Sequence, residues 1–201
     1  MIAVMAVAAL TASAQQGEYF VTPHIGVGYG NLSNNGNLAG SNYTNAQIGA
    51  DIEYMVGENF GISGGVDFLY AKSGEYIYQD NVNNYKSNAY VTYAFVNIPV
   101  LAQYHFGKFA VKAGVQPGFN VQSKYHEKEK LSSSTTTKDI NLSEMCKKFA
   151  LSVPVGVSYE FNIPIVLDLR CAIPVTKMYK SEYVDKNSSF LTVMLTAGYR
   201  F

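Results

Sequence analysis

The sequence predicts an all-β fold: an eight-stranded antiparallel up-and-down transmembrane β-barrel with short periplasmic turns and long extracellular loops. Apolar and polar residues alternate along most of the chain, short and long connections alternate between the resulting strands, and charges keep to one face of each strand. The composition agrees with this prediction, because charged residues make up only 15% of the 201 residues, against roughly 25% in soluble domains.

The first predicted strand, from Tyr19 to Tyr29, contains most of the stretch HIGVGYGN, in which three glycines occupy alternate positions. A dinucleotide-binding loop needs a third glycine where this chain has Asn31 or Ser33, and it needs a helix directly after the loop. The sequence predicts neither feature here. Apolar residues fill the positions between the glycines, so we interpret the glycines as the small face of a strand.

Alternation with a period of two predicts seven further strands, at approximately 46–56, 60–70, 89–106, 109–122, 149–161, 165–173 and 190–201. Short turns connect some of them, at 57–59, 107–108 and 162–164. Long polar loops connect the others, at roughly 31–45, 72–88, 123–148 and 174–189. Short turns at one end and long loops at the other are typical of outer-membrane barrels, in which the short turns are periplasmic.

Charged residues fall on the polar phase of their strands: Asp51, Glu53, Asp67, Lys112, Glu160, Asp168, Arg170 and Arg200. A charge on the lipid face near the bilayer midplane would cost about 2 to 4 kcal/mol, so this phase is expected to face the lumen. Eight strands enclose an interior that side chains can fill. We therefore expect the charges to pair in a network that closes the lumen, with His24 and His105 nearby.

Aromatic residues cluster around the short turns: Tyr54, Phe60, Tyr104, Phe106, Phe109, Tyr159, Phe161, Tyr199 and Phe201. Such residues form a girdle where a membrane-spanning surface meets the lipid headgroups. The alternative is that they line the core of a two-sheet sandwich. Several charges on one continuous face of the strands argue against that alternative.

Residues 1–14 are expected to form a signal peptide, and residues 15–201 the barrel domain. The N-terminal stretch is apolar from Met1 to Leu10 and then offers Ala12, Ser13 and Ala14 as a cleavage site. The apolar stretch is shorter than the roughly 20 residues that a spanning helix needs. A buried N-terminal helix is the alternative interpretation.

No feature of the sequence predicts a catalytic residue, a cofactor or a metal ion. Basic and acidic residues both number 15, so the chain offers nucleic acid no basic surface. If the strands beside residues 162–164 form a hairpin, Cys171 faces a residue near Val155, and Cys146 lies too far away for a disulfide. The two cysteines also lack the neighbouring histidines of a metal site.

One loop group has the composition of a hydrolase site: His126 with Ser123, Ser132 and Glu127. A nucleophile, a base and an acid would have to converge there. The group lies in the polar stretch KYHEKEKLSSSTTTKD, so we favour a solvated loop without enzymatic activity.

Three segments carry a resemblance to a known family: NIPVLAQY (Asn97 to Tyr104), LDLR (Leu167 to Arg170) and AGYRF (Ala197 to Phe201). They resemble the PorT-like outer-membrane β-barrel domain family of Gram-negative bacteria. The resemblance implies secretion across the inner membrane and insertion into the outer membrane by the barrel-assembly machinery. In similar proteins that machinery reads an aromatic C-terminus, which Tyr199 and Phe201 would supply here.

We expect a monomeric outer-membrane barrel that contacts the lipid bilayer and lipopolysaccharide and acts as a structural or surface-interaction protein. Its four long loops would carry any contact with a protein partner. The first alternative is a transport barrel for small apolar solutes, which a wide and apolar upper lumen beside the glycines of the first strand would favour. The second alternative is an accessory component of a protein secretion apparatus.

Overall fold

The computed structural model describes residues 17–33, 41–80, 85–131, 134–180 and 188–201. Its strands, in chain order, are β1 (Tyr19–Ser33), β2 (Asn42–Met55), β3 (Phe60–Ser73), β4 (Tyr76–Asp80), β5 (Tyr85–Asn97), β6 (Val100–Phe106), β7 (Phe109–Leu131), β8 (Ser134–Asn141), β9 (Phe149–Glu160), β10 (Ile165–Pro174) and β11 (Ser189–Tyr199). None of these residues belongs to a helix long and apolar enough to cross a membrane. The predicted signal peptide lies outside the described residues.

The strands form one closed antiparallel ring with eight positions. We call each position a stave, because one of them consists of two consecutive strands. The staves follow the chain as β1, β2, β3, the pair β5 and β6, β7, β9, β10 and β11. The ring closes where β11 pairs with β1, for example at Leu195 and Val27. β4 and β8 continue the staves of β3 and β9 beyond the ring. The predicted eight-stranded up-and-down barrel is confirmed, although eleven strands build it.

A proline explains why the predicted run 89–106 forms two strands. The ladder along this stave stops at Ile98 and Pro99, between β5 and β6. Proline has no backbone N–H to donate to a ladder. The neighbouring staves bridge the gap, since Gly65 N–H donates to the Pro99 carbonyl at 3.0 Å and Ile98 N–H donates to the Pro117 carbonyl at 2.8 Å.

The predicted loops 72–88 and 123–148 are wrong over most of their length, because strands β4, β5, β7 and β8 extend into them. β7 has 23 residues, about twice the 9–11 that a tilted strand needs to cross a bilayer. Its outer third, residues 124–131, pairs with residues 85–92 of β5 on one side and with β8 on the other. β4 pairs with the far edge of β5. These four segments form a small antiparallel sheet above the barrel rim, which we call the projecting sheet.

Apolar side chains cover the outside of the ring. Leu169 of β10 lies beside Val157 of β9 and Leu195 of β11, and all three are exposed in the isolated chain. Asp168 and Arg170, which flank Leu169 in the sequence, point inward and are buried. This orientation is that of a membrane barrel, in which the exposed apolar face meets lipid instead of water.

Aromatic side chains encircle the end of the ring that bears the short turns. The rings of Phe109 and Tyr159 are 4.8 Å apart, and Tyr159 lies 4.9 Å from Phe161. Tyr199 and Phe201 continue the girdle at the chain end, with ring centroids 4.6 Å apart. The turn between β6 and β7 uses Gly107 with a φ of 66°, a conformation that costs glycine little.

A charge placed on the apolar outside should destabilise the barrel. We predict that Leu169→Arg lowers the free energy of unfolding by about 2–4 kcal/mol, because the guanidinium would lie near the bilayer midplane. Urea unfolding in lipid vesicles measures this effect. The control is Val56→Arg, beside the first short turn, where the same charge should cost about 1 kcal/mol or less. Equal losses for the two variants would contradict the placement of the membrane.

Candidate functional site

The inner surface of the barrel carries two layers of charged side chains. The layer nearest the short turns is centred on Arg200, which lies 3.1 Å from Glu53 and 3.0 Å from Glu160. His105 adds a contact of 2.6 Å between its Nε2 and Glu53 Oε1. The Arg200 guanidinium also packs on the ring of Phe20, at 3.8 Å from the centroid. This layer therefore joins β1, β2, β6, β9 and the residue after β11.

The second layer lies further into the lumen and is centred on Arg170. Its guanidinium nitrogens lie 3.1 Å from Asp51, 3.6 Å from Asp67 and 3.3 Å from Asp168. Lys112 contacts the other carboxylate oxygen of Asp168 at 2.5 Å. Because guanidinium is planar and carries five N–H donors, one arginine can hold acids from β2, β3 and β10 together.

His24 extends this second layer to β1. Its Nε2 lies 2.8 Å from Asp67 Oδ1 and its Nδ1 lies 3.2 Å from the Thr22 carbonyl oxygen, so both ring nitrogens face acceptors. The two layers together hold all eight charged residues named from the sequence. Five of the eight are carboxylates and three are cations, so protonation of His24 and His105 would make the ensemble neutral.

One group in this layer has the composition of a metal site. Potential ligand atoms of His24, Asp51 and Asp67 lie within 4.8 Å of one another. Arg170 contacts both of these carboxylates and supplies a positive charge beside them. The guanidinium therefore already provides these two carboxylates with a positive charge.

Above the charged layers the lumen is largely apolar, and a cluster of buried side chains packs across it. Phe190 lies at the centre, with its ring 5.4 Å from Tyr43, 6.3 Å from Tyr93 and 6.0 Å from Phe95. Further buried side chains complete this upper core: Leu32, Leu69, Ala71, Val91 and Met194. Aromatic pairs at these separations pack favourably. The outer half of the lumen therefore resembles the core of a soluble protein.

Two connecting segments close the upper core from outside, and we call them the cap: residues 142–147 and 175–180. They meet at a β-bridge between Cys146 and Tyr179, and Lys147 N–H donates to the Met178 carbonyl at 2.9 Å. The hydroxyls of Tyr179 and Tyr93 lie 2.5 Å apart and tie the cap to β5. The side chains of Leu142, Cys146, Met178 and Tyr179 belong to the upper core.

Burial fixes the protonation of the cap side chains. Burial raises the pKa of Tyr179 to about 12, although the hydrogen bond to Tyr93 opposes the shift. Burial likewise raises the pKa of the Cys146 thiol, against a hydrogen bond with Ser123. Cys146 and Cys171 are both free thiols, and Cys171 pairs with Val155 as predicted. At neutral pH the cap holds a protonated, unreactive thiol.

The glycines of β1 do not leave the open space that the transport alternative needs. A Cβ on Gly28 would lie 2.4 Å from Met194 Sδ and 2.1 Å from the Val193 carbonyl oxygen. A Cβ on Gly26 would lie 2.5 Å from Thr196 Cγ2. The small face of β1 thus admits the side chains of β11, which fill this part of the lumen.

The residues of the suggested hydrolase group lie on opposite faces of β7. His126 is on the outer face of the projecting sheet, where its ring stacks on Tyr90 at 4.7 Å and its Nδ1 lies 2.8 Å from Asp139 Oδ1. Ser123 is buried beneath the cap, and Glu127 accepts a hydrogen bond from Ser87. Ser132 lies outside the described residues. A convergence of nucleophile, base and acid around His126 does not form among the described side chains.

The sequence prediction missed the cap and the upper core. The signal was a set of apolar residues inside stretches interpreted as polar loops: Leu142, Met145, Met178 and Tyr179. The interpretation of residues 123–148 and 174–189 as polar loops placed these side chains in solvent. In the structure all four contact the upper core.

Solved structures that are similar to this chain include those of three bacterial proteins. Ail, the attachment invasion locus protein of Yersinia pestis, is 15% identical with a TM-score of 0.47, over 92% of this chain and 99% of that chain. A major outer membrane protein from Thermus thermophilus is 14% identical with a TM-score of 0.47, over 92% and 100% of the two chains. Neisserial surface protein A is 14% identical with a TM-score of 0.44, over 93% and 100%. No curated protein sequence matches the chain.

The family described as outer membrane protein beta-barrel domain matches residues 13–180, which is most of the chain. The closed ring agrees with this match, because a strand can cross a bilayer only where neighbours bind all of its backbone groups. The predicted location in the outer membrane is thereby confirmed. The chain belongs to the outer membrane protein beta-barrel domain family.

Proposed function

We propose that this outer-membrane barrel acts at the cell surface, as a structural and surface-interaction protein whose binding element is the projecting sheet. The observation that carries the proposal is the pair of open edges on that sheet. Among the described strands, β8 pairs only with β7 and β4 pairs only with β5. An edge strand presents unpaired backbone N–H and C=O groups to which an extended segment of a partner can add.

The outer face of the projecting sheet is built for contact with polar molecules. Lys72 lies over the ring of Tyr90 at 4.3 Å, and Tyr90 stacks on His126. Asp139 of the edge strand β8 contacts His126 of β7, and residues 136–140 of β8 are all exposed. Lipopolysaccharide is the nearest molecule that this face would meet, and Lys72 would contact its phosphates.

The lumen is proposed to support the sheet rather than to conduct. The two charged layers join opposite walls of the barrel, and the upper core and cap close its outer half. Between the charged side chains lies a polar cavity of about 30 Å³, which has room for about two water molecules. A continuous aqueous pore would require these layers and the cap to move together.

Further proposals concern how the protein reaches its place. Residues 1–14 would direct secretion and be removed, and residues 15–201 would remain as the barrel domain. Tyr199 and Phe201, at the end of the last strand of the wall, would be recognised by the barrel-assembly machinery.

The closed ring needs no second copy, so we propose a monomer. We also propose that the chain is a PorT-like member of its family, without enzymatic activity.

The transport alternative and the secretion-accessory alternative make different demands. Transport needs a continuous path along the lumen, which the upper core and the charged layers interrupt. An accessory role needs a stable protein partner at the sheet or at the periplasmic turns. A conductance measurement tests for the path, and a binding assay on the projecting sheet tests for the partner.

The first test measures conductance. We predict that the purified, refolded protein gives no single-channel steps in a planar bilayer, because charged layers and apolar core close the lumen. Heat-modifiable gel mobility verifies that the sample is a folded barrel. Reproducible steps that change with Glu53→Ala would overturn the closed lumen and favour transport.

A second prediction tests the charged layers. Arg170→Met should lower the free energy of unfolding by about 3–5 kcal/mol, because Asp51, Asp67 and Asp168 would lose their shared partner. Urea unfolding in lipid vesicles measures this loss. The control is Lys72→Met, which breaks an exposed pair with Glu75 and should cost about 1 kcal/mol or less. A loss of that small size for Arg170→Met would mean that the network does not hold the walls together.

A third prediction tests the projecting sheet. Replacing residues 127–138 by Asn-Gly joins the paired residues His126 and Asp139 through a two-residue hairpin turn. We predict that this trimmed protein folds into a heat-modifiable barrel but loses binding to immobilised glycans and extracellular proteins, assayed in lipid nanodiscs.

The control for the trimmed protein changes the opposite end of the barrel. Replacing residues 57–59 by Asn-Gly shortens a periplasmic turn and should leave surface binding unchanged. Equal binding by the intact and trimmed proteins, or no binding by the intact protein, would contradict a surface function for the sheet. Loss of binding in both variants would show that the sheet is not the binding element.

A further inference from the structure

The upper lumen is packed unevenly, and a cavity of about 50 Å³ remains on one side. The aromatic residues Tyr43, Tyr93, Phe95 and Phe190 of the upper core belong to β2, β5 and β11. The cavity lies toward β7, β9 and β10, between the core and the Arg170 layer. Thr176, Lys177 and Met178 of the cap form its roof.

The lining combines an apolar surface with three polar side chains that have no partner among the described residues. Asn97, Gln116 and Thr192 are 7%, 9% and 7% exposed, and none of the three side chains hydrogen-bonds to another described residue. Buried polar groups are nearly always hydrogen-bonded. All three side chains line the cavity, so its contents are the available partner.

The rest of the lining restricts what those contents can be. Leu69, Phe95, Ala172, Met178 and Phe190 contribute apolar surface. Among the described residues that line the cavity, the only charged side chain is that of Lys177, which is exposed at the rim. A charged ligand would therefore lose its hydration without gaining a buried partner.

Water alone fits this lining poorly. A volume of about 50 Å³ would hold about four water molecules, each of which needs two to four polar partners. Such waters could bond to one another and to the polar side chains of the lining, but the apolar side chains of Leu69, Phe95, Ala172, Met178 and Phe190 would then face water. A single molecule with an apolar body and a hydrogen-bonding group matches both parts of the lining.

We propose that this cavity is a binding site for a small uncharged amphiphile, whose hydrogen-bonding group meets Asn97, Gln116 or Thr192. Its apolar body packs against Phe190 and Met178. Because a cavity of about 150 Å³ accepts benzene, the ligand of this site is smaller than an aromatic ring. The site is independent of the projecting sheet, so the trimmed protein would retain it.

Short solutes and a methionine label test the site. The probe is 1-propanol, and the readout is the methyl NMR signal of Met178, with Met55 beside the first short turn as internal reference. The barrel is studied in lipid nanodiscs after folding has been verified by gel mobility. We expect 1-propanol to shift the Met178 signal saturably and formamide, which has no apolar body, to leave it unchanged.

Three variants test the contact. Thr192→Val keeps the shape of the side chain but removes the hydroxyl, and it should weaken 1-propanol binding about fivefold to tenfold. Thr196→Val makes the same change four residues along β11, among the charged layers, and should leave binding unchanged. Ala172→Leu should fill the cavity and abolish the saturable shift.

The outcomes separate a ligand site from a water-filled void. A saturable Met178 shift that Thr192→Val weakens and Thr196→Val does not supports the proposal. A shift that rises linearly with 1-propanol, or that is equal at Met55, overturns it, because solvent alone produces that response. Equal effects of the two valine variants overturn it as well, even if Ala172→Leu fails to fold.

Discussion

The ladder between the first and last strands is the constraint on which the rest of the structure depends. Hydrocarbon offers no partner to a backbone N–H or C=O, so a spanning sheet must have no edge within the bilayer. β11 supplies the partner for β1 from His24 to Ser33, and Phe201 extends the seam to Val21 through two backbone hydrogen bonds. Once the ring is closed, each strand must present one face to lipid and the other to a narrow interior. The positions of charges, aromatics and glycines follow from that division.

The chemistry of the lumen also changes along the barrel axis, from the short turns to the outer end. Ionic groups occupy the half near the short turns, where Arg170 and Arg200 hold acids from several staves. Apolar and aromatic groups occupy the outer half, where two connecting segments cover them. Ion pairs between opposite walls fix the cross-section, whereas the apolar core gains free energy from burial under the cap. The cap is thereby stabilised by the same apolar packing that holds a soluble domain together.

The membrane-embedded part of this fold could be predicted from the sequence, and the part outside the membrane could not. Within the bilayer, lipid forces apolar residues onto every second position, so the strands and the pairing of Cys171 with Val155 were predictable. The segment 124–131 has no lipid on either side, and its polar residues carry no alternation although it is a strand. Contacts between distant segments, such as Cys146 with Tyr179, leave no local pattern. The glycines of β1 indicated the strand correctly but not the β11 side chains that fill the space beside them.

The continuity of β5 and β7 from the wall into the projecting sheet has a mechanical consequence. A load applied at the tip of the sheet acts along these strands, so it shears the ladder between residues 85–92 and 124–131 instead of peeling it one bond at a time. Hydrogen bonds loaded in shear share the force, and the strain passes directly into the barrel wall. The sheet is therefore a tether that resists traction, and it would yield first at β4 or β8, each of which is held by a single neighbour among the described strands.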